Sequence, residues 1–360
     1  LTSDNFDSYI TKLDSLGNFV WAKQMGSPAP DGGSSIVLDD FGNIYTTGLF
    51  YGTADFDPGP GIFNMTGPNN DIFISKLDSS GNFIWAKQMG GTSSDQGLYL
   101  TMDKRSSNIY LTGQFSGSAD FDPGPGFFYM NSVGDYDVFI SKLDSSGNFV
   151  WAKQMGSVGV DQGSAIDLDD SENIYTTGYF AGTVDFDPGI GIFNMTSAGN
   201  DDIFISKLDS SGNLIWANRI GSINKDQSNF IALDGSGNIY TTGTFFGTVD
   251  FDPDTGVFYL TSTGFDAFIS KLTPLGVGIK EHNSRLEYTI FPNPSTGVIN
   301  IRTEIPSEIV ICNMNGKEVF KTYKREDIAK YDISFLPNGI YLVKITNEKG
   351  FAYDKIIVVK

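Results

Sequence analysis

An all-β fold assembled from repeats is what this sequence predicts, and three observations predict it. The stretch Asp71 to Gly90, DIFISKLDSSGNFIWAKQMG, returns nearly unchanged from Ser8, Asp137 and Asp202, and in truncated form from Asp266. Trp21, Trp85, Trp151 and Trp216 stand 64, 66 and 65 residues apart, and the DFDP motifs beginning at Asp55, Asp120, Asp185 and Asp250 are each 65 apart. The 42 glycines supply many tight turns between short segments rich in β-branched and aromatic residues. A period of this size means that one supersecondary unit has been copied.

Within a unit the strands follow in order. In the unit beginning near Asp161, DQGSAIDLDD forms the first strand, DSEN turns the chain and IYTTGYF forms the second; DIFISKLD is the third and, after DSSGN, LIWANRI the fourth. In turns such as LDDFGN and LDSSGN the Asp carboxylate reaches backbone N–H groups two residues on, and Gly takes the positive φ. The third strand is apolar on both faces, Ile72 and Ile74 on one, Phe73 and Leu77 on the other. A sheet of that kind must be covered twice, as a blade is when wedged between neighbours around an axis. The expected fold is therefore a β-propeller built from ~65-residue repeats.

The first strand opens on small residues, Gly33-Ser34-Ser35, Gly97 and Gly163-Ser164-Ala165, which suits the innermost position where blades converge. The repeated tryptophans are expected in the core, and Tyr45, Tyr110, Tyr175 and Tyr240 either pack between blades or, where exposed, stack on sugars. Four first strands are present, the N-terminus supplies a third and a fourth strand, and the last unit stops after its third. Phe19 to Met25 can complete that last sheet and close a ring of about four blades; a ring truncated at its N-terminus fits equally well. The chain starts at Leu1, in mid-repeat and without a signal peptide, and so reads as a processed or truncated product of a longer one. Between second and third strands each unit inserts a segment such as GTVDFDPGIGIFNMTSAGND, expected as an outer hairpin or an edge excursion bent at Pro58, Pro123, Pro188 and Pro253.

Residues 1–275 form the repeat body, 276–284 a linker, and 285–360 a second domain that drops the period. IVICNM, EVFKTY, GIYLVKI and FAYDKIIVVK alternate as the strands of a small immunoglobulin-like β-sandwich. From residue 281 onward there are 11 Lys and Arg against 10 Asp and Glu, so the net charge of -19 lies in the repeats, with 13 against 33. Such a surface repels phosphate backbones, which excludes nucleic acid and favours cations, neutral polymers or proteins as partners. A lone Cys312 forms no internal disulfide, and the lone His282 leaves the repeats without a Ser-His-Asp, Cys-His or His-zinc site. No run of about 18 apolar residues provides a transmembrane helix.

Two stretches are similar to known families. Asp137 to Asp144, Gly147 to Trp151 and Asn173 to Gly178 resemble the bacterial β-propeller repeat (SBBP type) that joins a D-x-F-x-x-K-L-D strand, a G-N-hydrophobic-W strand and a G-N-I-Y-x-T-G strand. That resemblance implies a propeller and no particular activity. FPNPSTG from Phe291, NMNGKEV from Asn313, LPNGIYLVKI from Leu336 and KIIVVK from Lys355 resemble, in order, the C-terminal sorting (Por) domain of the type IX secretion system of Bacteroidetes. This resemblance implies export of a folded passenger through that machinery to the cell surface or medium, commonly with removal of the domain.

The DFDP loops are the candidate metal site. In an extended D-F-D the two carboxylates project to one side, and the following Pro-Gly turn offers carbonyls, a donor set that suits calcium; Asp55 and Asp57, Asp120 and Asp122, Asp185 and Asp187, and Asp250 and Asp252 are the pairs. Asp before Pro-Gly is equally good turn chemistry, and D-x-D lacks the closing Glu of stronger calcium loops. No other cofactor is implied. A second set, Asp31, Asp95, Asp161 and Asp226, precedes each first strand and is expected either to ring the mouth of the central channel or to cap loop amides. Because these acids recur in every unit, whereas a catalytic pair is unique, the sequence reads as a surface or secreted binding module for glycans or partner proteins rather than an enzyme. A structural surface component without a soluble ligand, and a glycosidase or lyase working through paired carboxylates, are the alternatives.

Overall fold

The computed structural model describes residues 6–254, 256–273, 288–303, 305–313, 317–347 and 350–360. They form strands and no helix, in two compact units, Leu1–Leu272 and Thr273–Lys360. The expected linker 276–284 lies outside the described residues.

Unit one contains three complete four-stranded blades, each read from the axis outward. Blade 1 is Gly32–Leu38, Ile44–Asp55, Asn64–Leu77 and Phe83–Gly91; blade 2 is Gln96–Met102, Ile109–Phe115, Asp137–Leu143 and Phe149–Met155. Blade 3 is Gln162–Leu168, Ile174–Phe180, Asp202–Leu208 and Leu214–Ile220. An N-terminal hairpin, Ser8–Leu13 with Phe19–Met25, precedes them, and a three-stranded sheet, Gln227–Leu233, Ile239–Phe245 and Asp266–Leu272, follows. The hairpin turns form as their composition dictates: Asp78 Oδ1 accepts from the amides of Ser80 and Asn82 at 2.8 and 2.9 Å, and Gly81 takes φ 78°.

Closure of a ring by Phe19–Met25 is not formed. Among the described residues that strand pairs only with Ser8–Leu13, and Asp266–Leu272 only with Ile239–Phe245. The short LDSLGN turn fixes Phe19–Met25 to the strand before it, leaving Phe19 68% and, in the last sheet, Ile269 80% exposed.

Blades 2 and 3 are covered on both faces, while the first strand of blade 1 leaves Ile36 and Leu38 exposed. Phe139 and Leu143 of blade 2 face blade 1 and pack with Tyr45, Ile72 and Ile74, while Val138 and Ile140, one residue out of phase, pack with Ile166, Ile174 and Phe204 of blade 3. Tyr175, Ile203 and Ile205 then meet Ile231, Ile239 and Phe268 of the last sheet. Close approach at the axis calls for small residues: a β-carbon on Gly97 would stand 2.5 Å from Thr47 Oγ1 and 2.9 Å from Ile72 Cγ2, and Ser228 takes the equivalent place in the last sheet. On the outer strands Trp85, Trp151 and Trp216 are half-buried, edge-on to Tyr45, Tyr110 and Tyr175 at 6.1, 6.3 and 6.2 Å. Lys76, Lys142 and Lys207 cover the same tyrosine rings at 4.7, 4.9 and 4.7 Å, so these rings are closed to a sugar.

The DFDP segments fold as outer hairpins, Ser118–Asp120 with Tyr129–Asn131, Thr183–Asp185 with Asn194–Thr196, and Thr248–Asp250 with Tyr259–Thr261; in blade 1 they continue the long central strands. The hairpin from the unit of blade 2 pairs with the outer strand of blade 1 through Gly90 to Asp120 and Gly91 to Ala119, making a six-stranded sheet. The outer edge of blade 1 is thereby covered over those residues.

Unit two is a sandwich of a three-stranded sheet, Tyr288–Phe291, Val298–Thr303 and Ile328–Asp332, on a four-stranded one, Glu318–Lys324, Ser307–Asn313, Gly339–Asn347 and Gly350–Val358. Ile299, Ile301, Ile309, Ile311, Val343 and Ile356 fill the space between. The FPNP motif, with cis peptides before Pro292 and Pro294, is tied to the last strand: Asn293 Oδ1 accepts from the amide of Ile357 at 2.9 Å and its Nδ2 donates to the Lys355 carbonyl at 2.6 Å.

Gly97→Val is expected to lower propeller stability by about 1–3 kcal/mol through overpacking. Gly235→Ala, which meets nothing within 4 Å, should stay within about 0.5 kcal/mol. Urea denaturation of both variants checks the contrast.

Candidate functional site

Each DFD segment buries its phenylalanine, Phe56, Phe121, Phe186 or Phe251, and turns its two carboxylates to the loop. Asp120 Oδ1 accepts from the amides of Asp122 and Phe128 at 3.0 and 2.8 Å, and Asp122 Oδ1 from that of Gly124 at 2.8 Å. The same bonds are made by Asp55 with Asp57, by Asp185 with Asp187 and by Asp250 with Asp252, where the Asp254 amide replaces that of a glycine. Among the described residues there is no group of three or more His, Cys, Asp or Glu able to hold a metal.

The acids that precede the first strands do not ring an open channel. Asp31, Asp95, Asp161 and Asp226 are 4, 0, 0 and 0% exposed. Each spans two loops: Asp95 Oδ1 accepts from the Ser116 amide at 3.1 Å and Oδ2 from that of Gly91 at 2.9 Å, and Asp161 does the same with Ala181 and Ser157 at 2.9 and 2.6 Å. The loops they tie together close over them.

A cleft of about 500 Å³ opens at the other end of the first strands, lined by Thr101 to Arg105 of blade 2, Asp167 to Ser171 of blade 3, and Leu233, Asp234, Gly235 and Gly237 of the last sheet. On the same first strands Tyr99 and Phe230 meet edge to face at 5.3 Å, with Phe230 still exposed. Most acids of the cleft are already engaged, Asp170 being exposed. Asp169 accepts from the amides of Ser171 and Asn173 at 2.9 and 3.0 Å and pairs with Lys207 at 3.4 Å. A side-chain hydrogen bond from Asn238 leads the contacts that push Asp234 down to about 2. Asp167 accepts from the Leu233 amide of the next sheet at 2.9 Å, and burial raises its pKa.

Blade 2 departs from its neighbours here. Its turn closes from Asp103 to Asn108, one residue longer than Asp39 to Asn43, with Ser107 at φ 56°. Tyr45, Tyr175 and Tyr240 donate to the turn acid at 3.3, 3.2 and 3.1 Å, but the Tyr110 hydroxyl has no partner, because the longer turn carries Asp103 away from it. The extra length presents Lys104 and Arg105, both exposed, to the cleft. Sequence reasoning placed the candidate site at the opposite end of these strands. The signal was MDKRSSN standing where other units have LDDFGN, LDDSEN and LDGSGN.

Residues 289–360 match the family model of the secretion system C-terminal sorting domain, and residues 20–49 that of the β-propeller repeat. A repeat body of this kind with that sorting domain defines a β-propeller protein exported to the medium or to the outer-membrane surface. An uncharacterized WD repeat-containing protein of Acanthamoeba polyphaga mimivirus is 29% identical over 239 residues, 57% of this chain and 17% of that one. The regulatory protein FlaEY of Caulobacter vibrioides is 24% identical over 304 residues, 83% of this chain and 28% of that one. The chain thus spans less than a third of the length of these curated relatives. Among solved structures, PorZ, a surface component of the type-IX secretion system of Porphyromonas gingivalis, aligns with 97% of this chain and 41% of its own at 11% identity and a TM-score of 0.35. The extracellular domain of a hybrid two-component system from B. thetaiotaomicron aligns at 10% identity and a TM-score of 0.17, over 99% of this chain and 74% of that one.

Asp120→Ala is expected to cost about 1–3 kcal/mol, since it strips the acceptor from two loop amides. Asp120→Asn, which keeps an acceptor oxygen, should cost less. Chemical denaturation of the two variants separates them.

Proposed function

We propose that this exported propeller is a binding module that seats a polar, hydroxyl-rich ligand, a glycan or a segment of a partner protein, in the axial cleft. One observation carries the reading: the repeat is broken where three blades converge on a solvent-filled cleft, and the break delivers Lys104 and Arg105, two exposed hydrogen-bond donors set among carboxylates. An unpaired difference at a shared axis is where a repeated scaffold can gain specificity. The sorting domain addresses the chain to the type IX secretion machinery, and calcium at the DFDP pairs is an accessory of this reading rather than its basis.

A second reading has its own support. Every unit exposes apolar side chains at the tip of its DFDP loop, with Ile62, Phe127, Ile190 and Val257 at 77, 75, 108 and 65%. Such crests favour a surface component that packs against its neighbours and takes no soluble ligand.

The test is binding of the whole chain to a panel of surface and plant polysaccharides, with calcium and with chelator. Lys104→Ser combined with Arg105→Ser is expected to weaken saturable binding at least about tenfold, roughly 1.4 kcal/mol, without changing the unfolding midpoint. Binding that ignores this variant would remove the cleft. Binding that ignores chelator, and the change of Asp120 and Asp122 to Asn, would remove calcium. No binding across the panel would favour the structural role.

A further inference from the structure

In four units the acid at the head of the third strand lies against the acid that precedes the next first strand; Asp266, at the head of the last third strand, is exposed. The pairs are Asp7 with Asp31, Asp71 with Asp95, Asp137 with Asp161 and Asp202 with Asp226. In the two central pairs all four residues are at most 2% exposed. Asp95 and Asp161 accept the loop amides described above. Asp71 Oδ2 accepts from Gln88 Nε2 at 2.6 Å, and Asp137 Oδ2 from Gln154 Nε2 at 2.6 Å and the Val133 amide at 3.0 Å. The Oδ1 atoms of Asp71 and Asp137 are buried and have no partner.

In the first pair the orphaned oxygen converges with the second carboxylate on one point. Asp71 Oδ1 and Asp95 Oδ2 each lie 3.0 Å from the point where a β-carbon on Gly90 would stand, and Asp7 Oδ1 and Asp31 Oδ2 each lie 2.9 Å from the equivalent point on Gly26. The glycine leaves open the space on which the two acids converge. Two ionised carboxylates facing each other away from water repel and lose their hydration, so one of them is neutral.

We propose that the Asp71–Asp95 and Asp137–Asp161 pairs each hold one proton taken up from solvent on folding, carried on the orphaned Oδ1 and donated to Oδ2 of the partner acid. The repeats thereby form a propeller that is tightest in mild acid and loosens as pH rises toward neutrality.

The surroundings contain nothing that substitutes for the proton. Around the first pair stand the Gln88 amide and the N–H groups of Gly91 and Ser116; around the second stand Gln154, the amides of Val133, Gly134, Ser157 and Ala181, and Tyr179, whose hydroxyl is raised by burial and by Asp201 and Asp161. None of these groups is cationic. The last pair is different: Arg219 takes the place of the glutamine and contacts Asp202 Oδ2 at 2.5 Å, so it carries its own positive charge. Burial pushes Asp71 up to about 6, and burial followed by the neighbouring acid brings Asp95 to about 7 and Asp161 to about 6.

An unfolded aspartate titrates near about 3.9, so the folded chain holds the extra protons between there and the raised values, and the stability they supply is lost as pH rises through about 6 to 7. Turn acids such as Asp78, lowered by hydrogen bonds from Asn82, lose their contribution in the opposite direction, as pH falls. The optimum is therefore expected near about pH 5.

Thermal unfolding of the whole chain between about pH 5 and 8 should show a midpoint that falls with a slope of about one proton for each of the two pairs at the acid end and levels off above about pH 7. Asp71→Asn with Asp137→Asn should flatten that fall, and Arg219→Gln should steepen it. Infrared spectra of the native chain should contain a protonated-carboxyl band at the acid end that is absent at the alkaline end; this reading needs no variant and stands even where the asparagine variant fails to fold. A midpoint that is flat or rising over the range, an absent carboxyl band, or stoichiometric calcium that abolishes the fall would each overturn the shared proton.

Discussion

Everything in the repeat body depends on burial of both faces of each sheet by the next copy of itself. A third strand with Val138 and Ile140 on one side and Phe139 and Leu143 on the other has no stable form alone, since either face would meet water. Stacking supplies the cover, and the first strand sets how closely the sheets stack. Gly97 lies against Thr47 and Ile72 of the preceding blade where no side chain fits. The turn chemistry, the tyrosine and tryptophan pairs and the lysines lying over them are arranged around that contact.

The fold was legible because its signals are periodic and local. Alternation fixes which side chains face which neighbour, and Asp and Gly fix the turns, so strand order within a blade and the separate sandwich follow from residue types alone. The match of residues 289–360 to the sorting-domain family rests on motifs that the structure gives physical work: Asn293 of FPNP holds the last strand by both ends of its amide. The fate of the terminal strands was not legible. A strand pattern says that an edge wants a partner, and not which strand comes within reach.

The site was harder to read for a related reason. Repetition draws attention to what is copied, and the copied acids prove to be acceptors for loop amides, as Asp95 is for Gly91 and Ser116. The cleft is marked by what is not copied, the longer turn at Asp103 and the two basic residues after it. Nor does composition distinguish a carboxylate that binds an amide from one with an oxygen left over; only the three-dimensional placement of Gly90 between Asp71 and Asp95 does.

The hairpin of one unit that pairs onto the outer strand of the blade before it has a consequence for how the array forms. Gly90 and Gly91 pair in the sheet with Asp120 and Ala119, about thirty residues later in the chain, while the Gly91 amide donates to Asp95. Blade 1 is thus unfinished until its successor has been made, and a chain cut between the two would leave a frayed margin open to strangers. The latch is confined to this junction, for the hairpins Thr183–Asp185 with Asn194–Thr196 and Thr248–Asp250 with Tyr259–Thr261 stand as separate two-stranded sheets.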